Sequence, residues 1–299
     1  LALAPGLIDS HAHDDRALLE PVGLEPKLSQ GVTTVVTGNC GLSLAPLRLS
    51  APPPPPLDIL GEAGDFRFES FASYAAAVDA AKPLVNAAAL IGHTSLRLAT
   101  MPRLDRAATE SEIDRMRAAL ARALDEGAFG FSTGLAYAPA KPAPASEVEA
   151  LLAVLARHGG AYATHLRNEG DKVEEALDEA FASAHAAGVP LIVSHHKCAG
   201  RGNWGRSTQT LARIKSAQAR QTIGLDAYPY TASSTSLDAD MAERAPRTIV
   251  TWSRDHPQAA GRDLSAVAAE WGISLRAAAE RLLPGNAVWR YRDLQDWSR

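Results

Sequence analysis

Short, nearly unbroken apolar runs alternate along the chain with longer stretches in which apolar residues recur every three or four positions. The runs fall at 7–10 (LIDS), 32–37 (VTTVVT), 85–92 (VNAAALIG), 128–133 (AFGFST), 160–164 (GAYAT), 189–194 (VPLIVS) and 222–227 (TIGLDA). Several are apolar on both faces, as expected for parallel strands covered on both sides. The intervening stretches predict helices. Residues 109–126 open with a Thr/Ser cap followed by acids, residues 146–158 with Ser-x-x-Glu, and residues 171–187 stop at Gly188. Repeated strand–helix alternation predicts an α/β protein built on a parallel sheet. The proline tract at 51–57 reads as a stiff extended segment in a long loop. Residues 238–299 read as helix-rich and charged, with no eighth apolar strand. The predicted division is therefore 1–237, strands one to seven with their helices, and 238–299, a helical segment whose tail is atypical from about residue 289.

Nearly every predicted strand ends in a residue able to do chemistry. The first ends in His11-Ala12-His13, the second in Asn39-Cys40-Gly41, the third in Gly92-His93. The fifth ends in His165-Leu166-Arg167, the sixth in His195-His196-Lys197 and the seventh in Asp226-Ala227-Tyr228. In a closed parallel barrel all these ends converge on one face, where active sites lie. Side chains alternate with period two along a strand, so His11 and His13 share a side and suit one metal centre. Thiolate and imidazole together favour zinc, with nickel or cobalt as substitutes. Of His195 and its neighbour, His195 is the expected ligand and His196 points outward. His93 is either a ligand or a hydrogen-bonding partner of a loop. His158 and His185, on predicted helices, and His256, in a polar loop, are packing or surface residues.

Composition narrows the classes. The chain has 299 residues, 46% hydrophobic and 21% charged, enough for a large core. Its net charge of −4 and the lack of a basic run give no reason to expect nucleic acid. No apolar stretch reaches roughly 18 residues, so no membrane partner is expected. Residues 1–10 lack the pattern of a signal peptide, and the expected location is the cytoplasm. Two cysteines are too few for a disulfide framework, and Cys198 reads as a small buried hydrophobe.

The motif Pro5-Gly6-Leu7-Ile8-Asp9-Ser10-His11-Ala12-His13-Asp14-Asp15 resembles the first-strand signature of the amidohydrolase superfamily, in the variant of its N-acyl-D-amino-acid deacylase branch. Similar matches occur at Thr37-Gly38-Asn39-Cys40-Gly41, Gly92-His93-Thr94, Ser132–Tyr137, Thr164–Glu169, Ser194-His195-His196-Lys197-Cys198-Ala199-Gly200 and Asp226–Tyr230, and the likeness runs to about residue 287. The resemblance implies a TIM-like (β/α) barrel with metal in its C-terminal mouth. Cys40, His165 and His195 match the ligands of a tightly held zinc. His11 and His13 match those of a weaker second position. Tyr137, Lys197, Tyr228 and Ser234 fall where the family binds the substrate's carboxylate and nearby polar groups, and Arg167 is a further candidate for that anion.

The implied chemistry is zinc-assisted hydrolysis of the amide of a small N-acyl-D-amino acid, with an eighth-strand aspartate as general base and then acid. No such aspartate, and no small β-domain ahead of the first strand, is recognisable here. No catalytic residue is therefore assigned, and Asp293 and Asp296 are weak substitutes. The chain reads as a fragment that alone binds metal poorly and turns over little. The alternatives are a cyclic-amide hydrolase of the dihydroorotase or hydantoinase type, or a catalytically dead barrel. A lysine ending the fourth strand would favour the cyclic-amide reading, but that strand ends in Ser132-Thr133-Gly134. Oligomeric state and side-chain preference are not encoded in any recognisable pattern.

Overall fold

A computed structural model describes residues 4–290. Its strands are β1 (Leu7–Asp9), β2 (Val32–Thr37), β3 (Leu47–Arg48), β4 (Arg67–Phe68), β5 (Asn86–Gly92), β6 (Gly130–Gly134), β7 (Ala161–His165), β8 (Leu191–Val193), β9 (Ile223–Leu225), β10 (Ala232–Ser236), β11 (Arg247–Ser253) and β12 (Gly285–Arg290). Its helices are α1 (Glu25–Leu28), α2 (Phe71–Ala81), α3 (His93–Thr100), α4 (Glu110–Asp125), α5 (Ala145–His158), α6 (Val173–Ala187), α7 (Ser207–Gln218), α8 (Ala239–Arg244), α9 (Leu264–Trp271) and α10 (Leu275–Arg281). The chain forms two compact units.

The first unit comprises Leu1–Asn168, Glu174–His196 and Ile214–Ala227. It holds a seven-stranded sheet in the order β1-β2-β5-β6-β7-β8-β9, parallel throughout. These are the seven predicted strands, each within about two residues of its apolar run. Parallel neighbours need crossovers, which the intervening helices and loops supply. Strand β6 is buried at every position, which explains why its sequence shows no polar face. Helix α4 starts at a capping box: Thr109 accepts from the Glu112 N–H while Glu112 reaches back to the Thr109 N–H. Its Met116, Leu120, Ala123 and Leu124 are buried, as are Val148, Leu151, Leu152 and Leu155 of α5. Helix α5 begins one residue before the expected Ser-x-x-Glu box. Pro144 occupies the cap, and no side chain caps the helix.

The order of the sheet leaves β1 and β9 at its two edges, with no eighth parallel strand among the described residues. Leu7 and Ile8 of β1 are accordingly 60% and 67% exposed, and Leu225 of β9 is 38% exposed. This is the TIM-like arrangement of strands one to seven that the sequence predicts. Strands β3 and β4 add a short antiparallel pair outside that sheet.

The second unit comprises Glu169–Val173, Lys197–Arg213 and Tyr228–Arg299. Its described part corrects the sequence expectation for 238–299. Beside the expected helices α8, α9 and α10 it contains an antiparallel sheet, β10-β12-β11, which the helix-rich reading does not include. Val250, Leu264, Val267, Leu282, Ala287 and Trp289 belong to its core. Segments 169–173 and 197–213 join this unit, so its make-up departs from a simple cut near residue 237. Trp289, where the sequence begins to read as atypical, lies in central strand β12 and is fully buried. Asp293 and Asp296 lie outside the described residues.

Candidate metal centre

The C-terminal ends of the parallel strands bring three sequence-predicted ligands together. The Cys40 Sγ lies 3.3 Å from His11 Nε2 and 3.3 Å from His195 Nε2. One donor atom from each of these residues lies within 4.8 Å of the others. His13 and His165 border the group: the His11 and His13 rings are 5.5 Å apart, and those of His165 and His195 are 4.4 Å apart. Tyr137 stacks at a tilt on His165, centroids 4.7 Å apart.

Local backbone geometry aims these side chains. Only three non-glycine residues among those described have a left-handed backbone, and Cys40 (φ 55°) and His195 (φ 35°) are two of them. Such conformations are costly and concentrate at functional sites. The turn after β2 is fastened by Gly41 N–H donating to Ser132 Oγ at 2.9 Å and by Thr94 N–H donating to Gly41 O at 2.9 Å. Gly134 permits the approach of β6: a Cβ there would lie 2.1 Å from Cys40 O. His195 is held by its own N–H, which donates to Asp226 Oδ1 at 2.7 Å.

The electrostatics favour a thiolate at Cys40, the form that binds a metal, and a charged His11, whose extra proton a metal would displace. Burial opposes a thiolate at Cys40, but the adjacent His11 and His195 imidazoles outweigh it and hold the thiol well below its ordinary value. Burial likewise opposes charge on His11. The Cys40 sulfur and the Asp226 carboxylate overcome it and push the imidazole up to about 10. A tetrahedral zinc with Zn–S near 2.3 Å and Zn–N near 2.05 Å requires S···N edges of about 3.5 Å. The two observed edges of 3.3 Å fit that figure, and a thiolate with imidazoles is a zinc donor set.

Other predicted residues fall elsewhere. His93 opens α3 and is fully buried, with Nε2 donating to Glu147 Oε1 at 2.9 Å, so it belongs to an internal ion cluster. His158 spans Val154 O and Asp125 at the end of α5, the packing role expected of it. His196 is buried, and its N–H donates to Asp226 O at 2.8 Å. Arg167, a candidate for the substrate anion, has its donors committed. They go to both oxygens of Glu179 and to the carbonyls of Lys141 and Ala143. In the second unit, Lys197 ion-pairs with Glu169 and lies 5.9 Å from the centre of the Tyr228 ring. Ser234, also in that unit, is an exposed residue of β10.

Two further groups carry no role in the sequence reading. Asp226 contacts His11 as well as His195. Lys27 ion-pairs with Asp9 at 2.6 Å and with Asp14, the acids that flank the His-x-His motif. Position at a strand end was the only available signal for Asp226, and none pointed to Lys27.

Comparison with known proteins adds three findings. The profile described as the amidohydrolase family matches residues 1–228. A D-aminoacylase from Alcaligenes xylosoxydans xylosoxydans is 50% identical over 299 residues, which are 100% of this chain and 62% of that protein. Two solved structures match closely. One, of a D-aminoacylase in work on one-metal activation and second-metal attenuation of its binuclear centre, has a TM-score of 0.94 at 48% identity, covering 98% of this chain and 61% of that one. The other, an N-acyl-D-glutamate deacylase from Bordetella bronchiseptica with zinc and a phosphonate mimic of the tetrahedral intermediate, has a TM-score of 0.93 at 44% identity, covering 98% and 62%. The chain thus spans about three fifths of the length of these relatives.

Proposed function

We propose that this chain, which belongs to the amidohydrolase family, supplies the metal-binding part of a zinc-dependent N-acyl-D-amino-acid deacylase. The observation that carries the reading is the Cys40 thiol set between two imidazoles at spacings suited to zinc. Cys40, His165 and His195 are assigned to a tightly held ion, and His11 and His13 to a weaker second position. Cys40 is equally near His11 and His195, so it is the donor that either position can reach. Zinc held there supplies Lewis acidity, polarising an amide carbonyl and making water acidic enough to attack at neutral pH.

The chain's own groups orient and bind. The resemblance assigns Tyr137, Lys197, Tyr228 and Ser234 to the substrate's carboxylate and polar groups, and Lys197 suits a point-charge role. The engagement of Arg167 with Glu179 and two carbonyls favours a structural role for it over anion binding. Proton transfer is assigned to an aspartate following an eighth strand, which is not among the described residues. A D-amino-acid substrate is supported by the similarity to a D-aminoacylase and an N-acyl-D-glutamate deacylase. Against a cyclic-amide hydrolase, β6 ends in Ser132-Thr133-Gly134 with no lysine, and Cys40 supplies the anionic donor. A cytoplasmic location belongs to the same proposal, supported by two free cysteines.

The test measures zinc per chain in the parent and in Cys40→Ser. It also measures hydrolysis of N-acetyl-D- and N-acetyl-L-amino acids by this chain and by a longer protein carrying the rest of a relative's barrel. The reading expects zinc in the parent, held more weakly than in the longer protein, its loss in Cys40→Ser, and D-selective hydrolysis in the longer protein. Full zinc retention by Cys40→Ser, or hydrolysis that prefers the L enantiomer, refutes it.

A further inference from the structure

Strands β1 and β9 lie at opposite edges of the seven-stranded sheet and are not paired with each other. Yet the residues just beyond them touch. His11 Nδ1 lies 3.1 Å from Asp226 Oδ1 and 3.2 Å from Oδ2. The same Oδ1 accepts the His195 N–H at 2.7 Å. Asp226 is itself pinned by its backbone, donating to Val193 O at 3.2 Å and accepting from His196 N–H at 2.8 Å. Both side chains are largely buried, 14% and 15% exposed.

We propose that Asp226 is a positioning residue that sets His11 and His195 onto Cys40. A carboxylate accepting from Nδ1–H commits His11 to present Nε2 outward, and Nε2 is the atom facing Cys40 Sγ. Carboxylates that take the second N–H of a ligand histidine fix its orientation and typically contribute 10–100-fold in metal affinity. Here one carboxylate acts on two histidines. It orients His11 through its ring and His195 through its backbone N–H, at a position whose φ of 35° is strained for a residue with a side chain. This assignment rests on the zinc reading above.

The test uses the full chain with Asp226→Asn, which keeps the shape and an oxygen for the His195 N–H, together with His11→Gln and the double variant. Zinc affinity is measured by competition with a chelator, and folding is checked by circular dichroism. Asp226→Asn is expected to weaken zinc about 10–100-fold in the parent background and by a clearly smaller factor in the His11→Gln background, because part of its action passes through His11. An affinity within about twofold of the parent, or an equal factor in both backgrounds, overturns the proposal.

A second measurement needs neither zinc nor a change at Asp226. In the metal-free parent, a downfield His11 Nδ1–H proton protected from solvent exchange is expected by NMR, identified by its loss in His11→Gln. Its absence overturns the proposal even if the chain binds no zinc, so this inference and the zinc reading fail separately.

Discussion

Replacing Glu147 by Gln should cost about 3–5 kcal/mol of stability without touching the residues proposed to hold zinc. Glu147, His93 and Arg97 are each fully buried. Glu147 Oε1 accepts from Arg97 and from His93 Nε2, and Oε2 accepts from Ala108 N–H at 3.0 Å. The remaining donors of Arg97 go to the carbonyls of Pro139, Leu104 and Arg106. One carboxylate thus neutralises a buried guanidinium and ties α3 and α5 to the segment before α4. Glutamine removes the charge and turns an amide NH2 toward groups that are themselves donors. Stripping one partner from a buried pair typically costs about 3–5 kcal/mol.

The proton affinity that these same contacts impose on Glu147 leads to a similar figure. Burial works against the carboxylate, but its bonds to His93, Arg97 and Ala108 hold it down to about 2, from an ordinary value near 4.5. At about 1.4 kcal/mol for each tenfold in proton affinity, that is about 3 kcal/mol. Because the folded value is depressed, the contribution is complete above about pH 4.5 and is lost as pH falls towards 2. His93 acts in the same direction: burial holds its imidazole below the ordinary 6.5, so acid must charge a group the fold keeps neutral. Urea unfolding followed by circular dichroism, at several pH values from 7 to 3, reads both effects. The gap between parent and Glu147→Gln should be widest at pH 7 and shrink below about pH 4.5. A loss under about 1 kcal/mol at pH 7, or a gap that ignores pH, would refute the account.

Three other substitutions probe separate parts of the structure. Gly134→Ala drives a Cβ to 2.1 Å from Cys40 O, so the Cys40 turn must shift. A loss of about 1–3 kcal/mol and weaker zinc binding are expected from thermal melts and chelator competition. Arg167→Lys keeps the charge but loses the fork that holds Glu179 and the 141–143 carbonyls. Stability should drop by about 2 kcal/mol with zinc affinity unchanged, and an unchanged melting curve would argue for the anion-binding role instead. Thr109→Ala removes the side-chain half of the α4 capping box and should cost about 1 kcal/mol in urea unfolding.

The seven parallel strands were legible because burial on both faces forces continuous apolar runs that stand out from helical spacing. The antiparallel sheet of the second unit was not. Strand β10 reads Ala-Ser-Ser-Thr-Ser and offers no large apolar residue, while β11 and β12 are separated by two short helices that dominate the local pattern. A signal did exist in β12, where Gly285, Ala287 and Trp289 are buried in strict alternation. It was hidden by the charged residues that follow. The Pro144 cap of α5 shows the same limit at smaller scale, since a Ser-x-x-Glu motif one residue inside a helix looks like its start.

Residue type and position at strand ends were enough to select His11, Cys40 and His195, whose donor atoms the fold gathers. What the sequence hides is how they are held. Cys40 does not belong to a type that favours a left-handed backbone, and conformations of this kind cost about 1–3 kcal/mol each. The restraints that oppose that cost come from distant positions: Ser132 on the Cys40 turn, 91 residues from the Gly41 it binds, and Asp226 on His195, 31 residues away. These restraints belong to the protein scaffold itself, which holds the two strained turns from which Cys40 and His195 project. Zinc should then add stability through mass action, with little change in backbone structure. A large change in circular dichroism on adding zinc would show instead that the ion, and not the sheet, builds the site.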